Sequence, residues 1–135
     1  MKAGFGFFGL DPHSGSLTLL QSVSVLPRGF AGSSVAAELL ISPDGRFLYA
    51  GNRLHDTISI LALAPDGRAR LIGEVSTLAD YPRSMGLTPD GHFLVSCNQL
   101  GDSLTLFRRD SATGVLHFTG DYLPIGSPTV IAFLG

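Results

Sequence analysis

Residues 41–61, ISPDGRFLYAGNRLHDTISIL, return as residues 87–107, LTPDGHFLVSCNQLGDSLTLF. Pro43 aligns with Pro89, Asp44 with Asp90, Gly45 with Gly91, Phe47 with Phe93, Asn52 with Asn98 and Asp56 with Asp102, each pair 46 residues apart. A period of this length, holding four short strands, is the signature of a β-propeller blade. Each copy runs from a Pro-Asp-Gly turn into an apolar strand, a polar turn and a second strand. The turn has a mechanism: Pro presets φ, Asp bonds the nearby backbone, and Gly accepts positive φ. Asp56 and Asp102 are expected to cap the turns before the third strand of each unit.

The repeat divides the chain. Residues 4–25 read as half a blade, its third and fourth strands, joined through Asp11-Pro12-His13-Ser14-Gly15. Asp110-Ser111-Ala112-Thr113-Gly114 supplies the same punctuation later. Residues 35–76 form one whole blade and residues 82–122 a second, with one more apolar strand, a closing strand, at 128–134. The fold class is therefore all-β, a propeller segment of about two and a half four-stranded antiparallel blades plus that strand. Residues 35–41 have a composition that suits a short helix, but the repeat assigns them to a strand. Two and a half blades leave blade faces and edges open. Two expectations follow: further blades on a longer protein, or association of several copies through the half blade and the closing strand.

Composition narrows the function. A formal net charge of −2 with 15% charged residues argues against a nucleic-acid surface, which needs a basic face. No apolar run approaches the length of a membrane span. The single cysteine, Cys97, excludes an internal disulfide and fits a reducing compartment. It reads as a packing residue, and with His13, His55, His92 and His117 it makes no metal-ligand spacing. No nucleophile elbow and no phosphate-cradling glycine loop are present.

Three small motifs recur in order: Ala37-Glu38 ahead of the first Ser-Pro-Asp-Gly, Gly51-Asn52-Arg53 after the second strand, and Pro82-Arg83 opening the next blade. In this arrangement the chain resembles the C-terminal third of the seven-bladed β-propeller lactonases, the propeller-type 6-phosphogluconolactonases, which share their fold with a fungal carboxy-muconate cyclase. The resemblance implies hydrolysis of a sugar lactone with no metal and no cofactor, a place in the pentose phosphate pathway and a cytoplasmic location. It implies Glu38 as base or water-orienting group and Arg83 as anion holder, both at the start of an innermost strand, with Arg53 and Asn98 as substrate contacts. Ser84 stands where relatives often carry Asn. The family's site also draws a His and an Arg from upstream blades that this chain does not contain. A second reading stays open: a non-catalytic propeller segment that binds or scaffolds, because fold does not fix function. Glu38 then belongs to a structural ion pair, and Arg83 is a solvated surface residue.

Overall fold

The structure is a computed structural model that describes residues 4–134. Among them there is no helix. Ten strands form three antiparallel sheets. The hairpin β1 (Gly4–Leu10) and β2 (Leu17–Ser24) is the half blade. Strands β3 (Ala36–Ile41), β4 (Phe47–Asn52), β5 (Thr57–Leu63) and β6 (Ala69–Ser76) make the first whole blade. Strands β7 (Pro82–Leu87), β8 (Phe93–Asn98), β9 (Ser103–Arg109) and β10 (Leu116–Pro124) make the second. The blades stack so that β3 and β7 lie side by side.

The two copies fold alike because the repeated residues make repeated bonds. Gly45, at φ 70°, donates its amide to the Ser42 carbonyl, and Gly91, also at φ 70°, donates to Thr88. The carboxylates between them accept from the Ser42 and Thr88 hydroxyls and from the Arg46 and His92 amides. Asn52 donates to the Thr57 and Ser59 hydroxyls of the next strand, and Asn98 to those of Ser103 and Thr105. Ser59 and Thr105 in turn donate to the Val25 and Thr77 carbonyls at the exit of the preceding unit. All six of these side-chain positions are buried. Buried polar groups are tolerated when satisfied in this way; of the two amide oxygens, that of Asn98 accepts from Ser96, whereas that of Asn52 has no partner among the described residues.

Asp56 and Asp102 do more than cap a local turn. Both sit at positive φ, and each reaches 25 residues ahead. The Asp56 carboxylate accepts from the Tyr81 amide and the Asp102 carboxylate from the Ser127 amide, each at 2.8 Å. These aspartates set where the following unit begins.

Two cores hold the units together. Val25, Leu26, Leu48, Ala50, Leu61 and Ala69 pack between the half blade and the first whole blade, with Phe5 and Phe7 against them. Phe47, Tyr49, Ile58, Ile60, Met85, Leu94, Phe107 and Leu116 pack between the two whole blades. Strand β4 is buried at every position because both of its faces are covered. Each fully buried Leu, Ile or Phe contributes about 1.5–3 kcal/mol.

Residues 128–134, the expected closing strand, join no ladder among the described residues. A strand needs a hydrogen-bonded neighbour, and the second strand of a third blade is not among the described residues. The segment instead packs by side chains, with Ile131 and Phe133 over Gly86 of β7. A Cβ on Gly86 would come within 2.9 Å of Ile131 and 2.8 Å of Phe133.

Candidate functional site

Both innermost strands break their pleat at the residues of interest. Ala36 pairs with Asn52 and Leu39 with Ala50, so Ala37 and Glu38 sit in a bulge of β3. Pro82 pairs with Asn98 and Ser84 with Cys97, so Arg83 sits in a bulge of β7. A bulge re-aims side chains that a regular strand would send to alternate faces. Here it brings residues of adjacent strands to one mouth. A cleft of about 300 Å³ is lined by Ala37, Glu38, Arg53, Arg83, Ser84, Thr129 and Val130.

The lining follows the repeat. Glu38, Ser84 and Val130 occupy equivalent positions 46 residues apart, as do Ala37, Arg83 and Thr129. Glu38 is half-buried, and its Oε2 accepts two bonds from β7: the Ser84 hydroxyl at 2.6 Å and the Met85 amide at 2.9 Å. Among the described residues no group donates to Oε1. Arg83 is exposed, and its guanidinium donates to the Gln99 side-chain oxygen at 3.4 Å. Arg53 is half-buried and lies over the Tyr81 ring, 5.6 Å from its centroid. Its Nε is buried and has no partner among the described residues. The cleft thus holds one carboxylate with a free oxygen and two guanidiniums.

Glu38, Arg53 and Arg83 are brought together; Asn98 is not. Asn98 is fully buried and spends its amide on Ser103 and Thr105, while its Oδ1 accepts from Ser96. Its place in the sequence, at the end of a second strand like Asn52, is the place of a core fastener. The donation from Ser84 to Glu38 is invisible to sequence reasoning, because it joins equivalent positions of two blades. Gln99 is likewise the repeat counterpart of Arg53 and has become the partner of Arg83. Cys97 lies nearby, fully buried, with its thiol pushed up to about 11 by burial and by the Glu38 charge. That thiol is not a nucleophile at neutral pH. No cluster of His, Cys, Asp or Glu among the described residues could hold a metal ion.

A stack of four-stranded antiparallel blades, with charged groups gathered at the starts of adjacent innermost strands, is the architecture of a β-propeller segment. Residues 3–133 match the family model "Lactonase, 7-bladed beta-propeller", and the chain belongs to that family. It is 32% identical over 125 residues to a 6-phosphogluconolactonase of Bacillus subtilis, covering 92% of this chain and 36% of that one. An uncharacterized protein of Lactococcus lactis is 38% identical over 107 residues, 78% of this chain and 31% of that one. Among solved structures, a protein from Lactobacillus plantarum superposes with a TM-score of 0.95 at 31% identity, over 99% of this chain and 39% of that one. The periplasmic gluconolactonase of Pseudomonas aeruginosa superposes at 0.85 and 33% identity, over 92% of this chain and 34% of that one. The chain spans about a third of the length of the curated relatives it matches.

Proposed function

We propose that this chain supplies part of a lactone-hydrolysing site, with Glu38, Arg53 and Arg83 as its working groups and a sugar lactone as the substrate class. The observation that carries the reading is the convergence of these three side chains on one cleft at the bulged starts of β3 and β7. Hydrolysis of a lactone needs a base for the attacking water and positive charge for the carbonyl oxygen as it becomes an oxyanion. Glu38 is suited to the first task. Two bonds from β7 hold Oε2 and leave Oε1 to take the proton from water. Water then adds to the carbonyl carbon, the ring C–O bond breaks, and the ring oxygen leaves with a proton as the sugar hydroxyl. Arg83 and Arg53 are suited to the second task and to any phosphate on the sugar, since guanidinium groups bind carboxylate and phosphate oxygens in pairs. The names of the Bacillus subtilis and Pseudomonas aeruginosa relatives point to gluconolactone or its 6-phosphate. The free thiol of Cys97 fits a cytoplasmic setting. No helix of the described residues is long and apolar enough to cross a membrane.

The test is a complete ring carrying this chain as its final blades, assayed for lactone opening. Glu38→Gln is expected to lower kcat by about 10²–10⁴-fold, the usual share of a positioned acid or base. Arg83→Ala is expected to raise KM for a phosphorylated lactone more than for the unphosphorylated one. Unchanged activity in both variants would remove the assignment. One observation favours a second reading, a binding or scaffold module: Glu38 already fastens β3 to β7 through Ser84 and Met85. On that reading Glu38→Gln lowers the unfolding midpoint and leaves turnover intact.

A further inference from the structure

One position repeats in backbone but not in side chain. Val35, Tyr81 and Ser127 stand 46 residues apart. The Val35 carbonyl accepts from the Arg53 amide at 3.0 Å, and the Tyr81 carbonyl accepts from the amide of Gln99, the counterpart of Arg53, also at 3.0 Å. Tyr81 and Ser127 donate their own amides to Asp56 and Asp102. Both adopt a left-handed backbone, at φ 62° and 45°. For a bulky side chain that conformation is an outlier, and such outliers persist where the surroundings over-determine them.

The surroundings of Tyr81 do so. Its amide is held by a carboxylate of the first whole blade and its carbonyl by the Gln99 amide of the second. The residues ahead of it are held as well. Thr77 donates its amide and its hydroxyl to the Asp56 carbonyl, and Asp80 accepts from the Gly101 amide. Gly101 has no room for a side chain there, since a Cβ would lie 2.8 Å from the Asp80 nitrogen. The phenol ring therefore stands on backbone pinned from two blades.

What the ring holds is Arg53. The guanidinium carbon lies 5.6 Å from the ring centroid, within cation–π range. Arg53 lines the cleft and Tyr81 does not, so the ring works from behind the cation. The pair is built from two departures from the repeat, since Gln99 carries no charge and Val35 and Ser127 carry no ring. The kind of contact matters. A carboxylate partner would occupy the N–H donors of the guanidinium and offset its charge. A ring face fixes the cation and leaves its in-plane donors for a substrate oxygen.

We propose that Tyr81 is a positioning residue of the cleft, its ring holding the Arg53 guanidinium in place before substrate arrives. A donor fixed in advance costs no reorganisation when negative charge develops on the carbonyl oxygen. The effect of Tyr81 on turnover rests on the lactone-opening reading; its effect on Arg53 does not.

Two substitutions separate ring from backbone. Tyr81→Ser installs the residue that the next unit carries at this place, keeping the amide for Asp56 and removing the ring. Tyr81→Phe keeps the ring. In the isotope-labelled chain the Arg53 Nε–H resonance should move in Tyr81→Ser, because the ring current is lost, and hold its place in Tyr81→Phe. In a complete ring carrying this chain, Tyr81→Ser should lower kcat for lactone opening about tenfold, and Tyr81→Phe should recover most of that loss. Adding Tyr81→Ser to Arg53→Ala should cause no further loss, since the ring acts through the cation. An unmoved Arg53 resonance in Tyr81→Ser would overturn the proposal. So would an unchanged kcat in Tyr81→Ser where Glu38→Gln lowers it, losses that multiply in the double variant, or a Tyr81→Phe variant as impaired as Tyr81→Ser. Failure of the lactone-opening reading looks different: Glu38→Gln and Arg83→Ala then leave turnover unchanged, while a moved Arg53 resonance still upholds the positioning.

Discussion

The polar core between strands and the cleft at the starts of β3 and β7 are built from the same repeat and use it in opposite ways. In the core, Asn52 and Asn98 make the same bonds to the same hydroxyl positions, and Asp56 and Asp102 reach the same distance ahead. In the cleft, equivalent positions carry different groups: Glu38 against Ser84 and Val130, Arg53 against Gln99, Ala37 against Arg83 and Thr129. Those unlike groups bond to one another, Ser84 to Glu38 and Arg83 to Gln99. Repetition builds the blade, and departure from repetition furnishes the cleft. A third departure lies at the outer end of the blades, where Leu63 is matched by Arg109. Arg109, 6% exposed, reaches back across the blade interface to the Tyr49 hydroxyl and the Asp44 carboxylate, and within its own blade donates to the Gly91 carbonyl. This departure acts in assembly rather than in the cleft.

The largest stability effects should come from the repeated core. Asn52→Ala strands two buried hydroxyls and Asn98→Ala three, the third being Ser96, and each opens a void. Each should cost about 2–4 kcal/mol in urea unfolding, with Asn98→Ala the larger. An equal or smaller cost for Asn98→Ala would mean that the Ser96 bond adds nothing to the second copy. Arg109→Leu, which restores the repeat, should cost about 1–3 kcal/mol because it leaves Asp44, Tyr49 and Gly91 without their shared donor. A stabilised variant would show that the latch is dispensable to the interface.

Glycines allow a finer cut. Gly114→Ala faces both a φ of 76° and the Phe47 ring, whereas Gly15→Ala faces a φ of 72° in open space. The Gly15 variant of the dilute chain should lose about 1 kcal/mol from the backbone alone, and the Gly114 variant clearly more. Equal losses would place the whole cost in the backbone.

The smallest effect is pH dependence. The Ser42 hydroxyl first, then the Arg46 amide and Arg109, hold the Asp44 carboxyl well below the usual carboxylate range. The Thr88 hydroxyl and the His92 amide hold Asp90 down to about 2. Groups with depressed folded values stabilise the fold above their unfolded value, about 3.9, and lose that contribution as pH falls through the folded one. Stability should therefore decline below about pH 4, and less steeply in Asp44→Asn. An identical acid limb in that variant would show that Asp44 is not a source of it.

The repeat made the strand order, the Pro-Asp-Gly turns and the blade boundaries legible, because they depend on local turn chemistry and on apolar alternation. Glu38, Arg53 and Arg83 were legible as candidates only through the resemblance, since nothing in their spacing shows that two bulges re-aim them. Asn98 was misread because an amide at a strand end suits both a rim contact and a core fastener, and only burial separates the two. Residues 128–134 read as a strand from apolar content alone, but a ladder partner decides that outcome. Arg109 escaped notice because its partners lie 60 and 65 residues away, on another blade.

The most direct test of the cleft is a titration of the isotope-labelled chain with 6-phosphogluconate, the hydrolysis product of the phosphorylated lactone, followed by amide and guanidinium resonances. The account predicts saturable shifts at Arg53, Arg83, Ser84 and Thr129, weakened by Arg83→Ala, with the Asn98 side chain unmoved. Shifts confined to other surfaces, or none at millimolar ligand, would contradict it.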